Sequence, residues 1–185
     1  MYHRIYFILF FLVYLFFGPT CIYSQVDWKK FTPKGQPFEV FAPGEMKYGE
    51  KNLLTDVGEV KVVTYMHQGD NNDPNFIYLI NYVDYPDGTF HPDSTELIDD
   101  LFKISIKTNL NDLKGELIYN TKINYRLYSG MLYRATYNSG KAVIKSKMYL
   151  IGDRFYALQV YTLSEKSLNP EMDKFLDSFK IKLKD

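Results

Sequence analysis

The sequence predicts an α+β domain on an antiparallel sheet of about six to eight strands, with a long helix after the third strand and a short C-terminal helix. Three observations carry this expectation. Short runs rich in Val, Ile, Tyr and Phe flank a single long stretch with helical spacing. Tight turns link four further runs after that stretch. An Asn-Pro start then opens one last helical run.

The first expected strand is Phe38-Glu39-Val40-Phe41, and a loop rich in Gly, Lys and Asn follows. Two longer strands come next, about Glu59–His67 and Phe76–Tyr85, joined by Gly69-Asp70-Asn71-Asn72-Asp73-Pro74. Asp93 to Leu113 reads as the long helix, opened by a capping box of Asp93 and Glu96. Acids lead and lysines trail along it, as the helix dipole favours. Leu97, Leu101, Ile104 and Thr108, widened by Ile98 and Phe102, mark its expected core face.

The four later strands acquire a register from their turns. A Gly152-Asp153 turn sets Leu150 opposite Phe155, Met148 opposite Ala157 and Ile144 opposite Tyr161. The Ser139-Gly140 turn sets Tyr137 opposite Ala142 and Ala135 opposite Ile144. A three-residue loop, Tyr128-Ser129-Gly130 with Gly130 left-handed, places Ile123, Tyr125 and Leu127 on the side of Met131, Tyr133 and Ala135. The long helix is expected to cover that apolar side. Asn169 caps the short helix, which sends Met172, Phe175, Leu176 and Phe179 toward a sheet. The alternating tail Phe179–Leu183 reads as an edge strand shielded by lysines.

With this order in place, the chain resembles the PsbP-like superfamily, which also holds DcrB-like and Mog-type proteins. The likeness runs from about Trp28 to Leu183. It rests on Trp28-x-x-Phe31, Phe38-x-Val40-x-x-Pro43, Tyr82-x-Asp84-x-Pro86 and Phe175-Leu176-x-Ser178-Phe179. The resemblance implies a shared fold and varied roles: accessory proteins of photosynthetic complexes, small exported or envelope proteins, and partners of other proteins. It carries over no catalytic or metal-binding residue.

The N-terminus supplies an address. A basic start at Arg4 precedes the apolar run Ile5–Phe17 and the breakers Gly18 and Pro19. That run matches a secretory signal and falls short of the ~20 residues that span a bilayer. With Ile22-Tyr23-Ser24 at the processing site, cleavage is expected after Ser24. Residues 1–24 are thus a signal peptide and 25–185 a single domain, periplasmic or extracellular. An alternative makes Cys21 the acylated residue of a lipoprotein, although Gly18-Pro19-Thr20 is a poor recognition sequence.

Composition narrows the function classes. Removing 24 of 185 residues leaves 161, enough for one core. Basic residues fall from 22 to 21 against 22 acids, a near-neutral balance without the excess that signals nucleic-acid binding. Cys21 is the single cysteine, so the mature domain has neither disulfide nor thiolate site. His67 and His91 are too few and too far apart for the four ligands of zinc. Asp70-Asn71-Asn72-Asp73 lacks the glycine and distal glutamate of a calcium loop. Ser94, near His91 and Asp87, sits at a helix start and not on a nucleophile elbow. No phosphate-binding glycine loop occurs, and Asp99-Asp100 is explained by the helix dipole. No enzyme, cofactor or metal is expected.

What remains is the far side of the meander. The expected register gathers Lys122, Arg126, Arg134, Lys145 and Lys147 there, beside a Tyr149–Tyr156 pair. Arg134 opposite Lys145 is a like-charge pair, which destabilises a sheet unless an anion or acid lies nearby. One reading is a surface for an anionic small molecule or an acidic exported protein. The other is a solvated face whose long side chains splay apart or find acids from loops elsewhere in the chain. The functional expectation is a non-catalytic exported binding or accessory protein acting through that face, without nucleic acid and without a membrane span. The alternative is a carrier of a small apolar or aromatic ligand between helix and sheet. A hydrolase has no residue spacing to support it.

Overall fold

The computed structural model describes residues 27–182 apart from Asp56, Val57, Asn72 and Pro92. The expected signal peptide, the Ser24 cleavage site and Cys21 lie outside the described residues, as does Leu183. Strands β1 (Lys29–Phe31), β2 (Phe38–Ala42), β3 (Lys47–Thr55), β4 (Gly58–Gln68) and β5 (Asn75–Asp84) lead into helix α1 (Thr95–Leu113). Then come β6 (Glu116–Tyr125), β7 (Tyr128–Tyr137), β8 (Ala142–Ile151) and β9 (Arg154–Leu163). A 3₁₀ turn, helix α2 (Pro170–Asp177) and β10 (Lys180–Ile181) complete the order.

Seven strands form one antiparallel sheet in the order β3-β4-β5-β9-β8-β7-β6, and β1-β2-β10 form a second, small one. The α+β class holds, but the long helix follows the fifth strand, because β1 and β3 escaped the sequence pattern. β1 has three residues, and the edge strand β3 is exposed along almost its whole length, so neither displays an alternating buried face.

Two of the three expected hairpins have the expected register. Leu150 pairs with Phe155, Met148 with Ala157 and Ile144 with Tyr161. Tyr137 pairs with Ala142, Ala135 with Ile144, and Arg134 with Lys145. The β6–β7 turn differs. It is a two-residue turn, Arg126-Leu127, with Tyr125 opposite Tyr128. Arg126 takes the left-handed conformation (φ 55°). Gly130 lies inside β7, where a Cβ would come 2.6 Å from the Met148 carbonyl oxygen. Glycine there allows a close strand approach and not a turn.

This shift exchanges the faces of β6. Lys122 lies opposite Met131, on the α1 side, while Ile123 and Tyr125 point to the other side. Leu127 caps the turn and is fully exposed.

Both faces of the large sheet carry a core. On one, Ile98, Phe102 and Ile106 of α1 pack on Met131, Tyr133, Ile144, Met148 and Phe155. The expected helix stripe is therefore rotated by about one residue: Leu97 and Ile104 are 49% and 60% exposed. The expected capping box is also absent, since Ser94 occupies the N-cap without a side-chain bond. On the opposite face lies the larger core, where α2 and the small sheet bring Phe38, Val40, Met172, Phe175, Leu176 and Phe179 onto Tyr78, Ile80, Tyr156 and Leu158.

Candidate functional site

Helix α2 decides the fate of the basic residues. Asn169 caps it by accepting from the Met172 amide (3.1 Å), with Pro170 in the first turn. Met172, Phe175 and Leu176 then face the sheet. Asp173 and Asp177, four residues apart, share one flank of the helix. Lys145 pairs with Asp173 at 2.5 Å, and Lys147 pairs with Asp177. The Arg134 guanidinium donates to Ser167 Oγ at 2.7 Å. Arg134 and Lys145 are neighbours as expected, and acids from a later element neutralise their surroundings. Both lysine side chains are about four-fifths buried by this helix.

The remaining members of the expected face are elsewhere. Lys122 lies on the α1 side and donates to Asp99 at 2.6 Å. Arg126 sits in the hairpin turn with its guanidinium 5.8 Å from the Tyr125 ring. Tyr149 and Tyr156 do pair across the hairpin, but inside the core and not on a wet rim. Tyr149 stacks on Phe179 with centroids 5.6 Å apart, and Phe38 meets the Tyr156 ring edge-on at 5.7 Å. Burial pushes the Tyr149 hydroxyl up to about 12. A cationic, tyrosine-rimmed surface is thus replaced by an α2 clamp over a buried aromatic cluster. The sequence held the signal, since Asp173 and Asp177 recur at helical spacing, but not the docking of that helix.

Arg154 is a second internal cation. It pairs with Asp84, donates to Gln36 Oε1 at 2.9 Å and lies 4.5 Å from the Tyr82 ring. Burial opposes its charge, yet the Asp84 carboxylate keeps its pKa raised. Among the described residues no group of three His, Cys, Asp or Glu side chains converges on a metal-sized site. No helix among them is long and apolar enough to cross a membrane.

Among the described residues, the α1 side offers a small cavity and an apolar surface. A cavity of about 110 Å³ lies between the start of α1 and the β6–β7 hairpin, lined by Thr95, Ile98, Phe102, Lys122, Ile123 and Gly130. It is well below the ~300–1,000 Å³ of small-molecule sites.

The second is the surface. The α1 core draws on β7, β8 and β9; among the described residues no helix lies over the β3–β5 half of that face, where Tyr85 covers Val60, Val62 and Val83. Residues directly opposite across an antiparallel ladder share a face. Leu79 is paired with both Met66 and Gln159, and Asn81 with Thr64 and Ala157, so all lie on the α1 side. Met66, Ile77, Leu79 and Tyr161 are half-buried there, and Leu53 is exposed.

Beside this floor runs the unpartnered stripe of α1. At about 100° per residue, Leu97 and Ile104 lie roughly 140–160° around the axis from Asp99, which faces β6 through Lys122. They therefore sit on the flank and crest turned toward β9 and β5.

No family model matches the chain, and no curated protein matches it. Among solved structures, it is similar to cyanobacterial PsbP (CyanoP) from Synechocystis sp. PCC 6803, with a TM-score of 0.55 at 13% identity over 89% of this chain and 96% of that one. That likeness defines the architecture as a PsbP-like fold. PA94 from Pseudomonas aeruginosa, a protein of unknown function, aligns over 75% of this chain and 85% of its own at a TM-score of 0.32 and 9% identity, too distant to carry any argument.

Proposed function

We infer that this chain is a non-catalytic, exported accessory protein that acts by protein contact, through the helix-free half of its large sheet and the adjoining α1 stripe. The observation that carries this reading is the half-buried apolar floor of Met66, Ile77 and Leu79 beside the exposed Leu97 and Ile104. An exposed apolar area next to an unpartnered helix is the usual mark of an interaction surface. The basic cluster offers less, because Lys145 and Lys147 already hold carboxylates and an anion would have to displace α2. The carrier alternative is limited by the size of the α1 cavity. Export rests on the apolar N-terminal run, and the accessory role draws on the PsbP-like architecture.

A photoreactive residue at position 79, introduced in the native host, tests the contact. A discrete cross-linked species is expected from position 79 and not from position 87 on the loop after β5. Absence of any adduct from 79, 97 and 104 overturns the reading.

A further inference from the structure

We propose that the partner seated on this surface is a second copy of the chain, related by a two-fold axis; this rests on the contact reading above. Seven strands at ~4.8 Å spacing make a sheet about 29 Å wide, whereas one helix with its side chains is ~10 Å across. α1 sits off-centre over β7–β9; on the β3–β5 half Tyr85 covers Val60, Val62 and Val83, and the remaining stretch around Met66, Ile77 and Leu79 is about one helix wide.

If two copies face each other, each α1 fills the other's uncovered stretch. The layers then run sheet, two side-by-side helices, sheet. That arrangement uses the exposed stripe fully. Ile104 and Leu97, near the crest, rest on the opposing floor of Met66 and Leu79. Leu101 and Thr108, lower on the flank, meet the neighbouring α1. The surface is self-complementary, as an isologous interface must be.

Charge follows the same pattern. Lys47 and Lys51 of the edge strand lie opposite Met66 and Val62 and so face the α1 side. Asp112 borders the α1 stripe, and a two-fold copy brings it toward those lysines, whereas Asp100 on the other border already pairs with Lys103 at 2.9 Å. The footprint is about 400 Å² per protomer, from ~16 Å of three strands beyond the Tyr85-covered end and ~17 Å of helix, in the range of weak, transient pairs. The dimer is therefore reversible and concentration-dependent.

Sedimentation velocity of the purified mature domain, from low-micromolar to sub-millimolar protein, tests this. The wild type is expected to move from monomer to dimer with concentration. Ile104→Glu, at a 60% exposed position where folding is not at stake, should raise the dissociation constant about tenfold or more. Leu79→Lys should do the same from the floor, with circular dichroism confirming its fold. Leu168→Glu, at an exposed leucine before α2, should leave association unchanged. A wild type that stays monomeric throughout, or an Ile104→Glu protein that dimerises normally, overturns the two-fold pairing. In that case, a cross-link from position 79 to a different protein leaves the contact reading standing, and no cross-link at all removes both.

Discussion

Arg126 shows at the smallest scale where local pattern and structure part. Apolar alternation favoured a turn that kept Leu127 on the core side, with Gly130 supplying the left-handed residue. Instead an arginine takes that conformation at φ 55°, and Leu127 is given up to solvent. The reason is non-local. Gly130 is needed inside β7, where the Met148 carbonyl oxygen and the Tyr149 ring leave no room for a Cβ. Ile123 and Tyr125 are then free to join the α2 core. A single residue of sequence gives no view of either neighbour. A β-carbon in the left-handed region costs about 1–2 kcal/mol, which glycine avoids at some entropic cost. Arg126→Gly is therefore expected to stabilise the domain by about 1 kcal/mol in urea denaturation. An unchanged midpoint would mean that the arginine's approach to the Tyr125 ring compensates.

Elements were legible in kind but not in orientation. The long helix was readable from its spacing, yet Ile98, Phe102 and Ile106 face the sheet while Leu97 and Ile104 do not. Both stripes are apolar, so periodicity alone could not choose between them. The short helix was placed correctly from Asn169 and Pro170. Its acids, however, gain meaning only once it lies over β8. The like-charge neighbours Arg134 and Lys145 left open an anion, an acid or a splayed solvated face, and Asp173 meets Lys145 from within the chain. A double-mutant cycle of Lys145→Ala and Asp173→Ala should give a coupling of about 0.5–1 kcal/mol, since Asp173 is half-exposed, shrinking as salt rises. Zero coupling at low salt would show that packing alone holds α2 in place.

At the scale of the whole molecule, the PsbP-like order of strands and helices was readable, whereas the presence of two cores was not. Covering the second face depends on β2, β10 and α2 meeting from opposite ends of the sequence. That core is rich in phenols, which sets the response to alkali. Burial raises the pKa of Tyr149 to about 12, and those of Tyr78 and Tyr156 rise for the same reason. The unfolded chain releases these protons near pH 10 while the native state retains them, so stability is intact below pH 10 and falls as pH climbs toward 12. Phenolate absorbance should show one group of tyrosines ionising freely and another only on unfolding. A single titration with no change in fold would contradict the buried cluster.

The three-stranded sheet has a consequence for how the chain acquires its shape. Phe38 and Glu39 of β2 pair with Ile181 and Lys180 of β10, and Glu39 binds Lys30 on one side and Lys182 on the other. β2 therefore waits for β10, about 140 positions later, before its own layer can close. A polypeptide emerging from a ribosome or a narrow channel cannot bury its larger hydrophobic cluster until α2 and β10 have come through. Closure of such distant segments is slow as well as late, so a half-emerged chain stays threadable, and loss of β10 unlatches the layer.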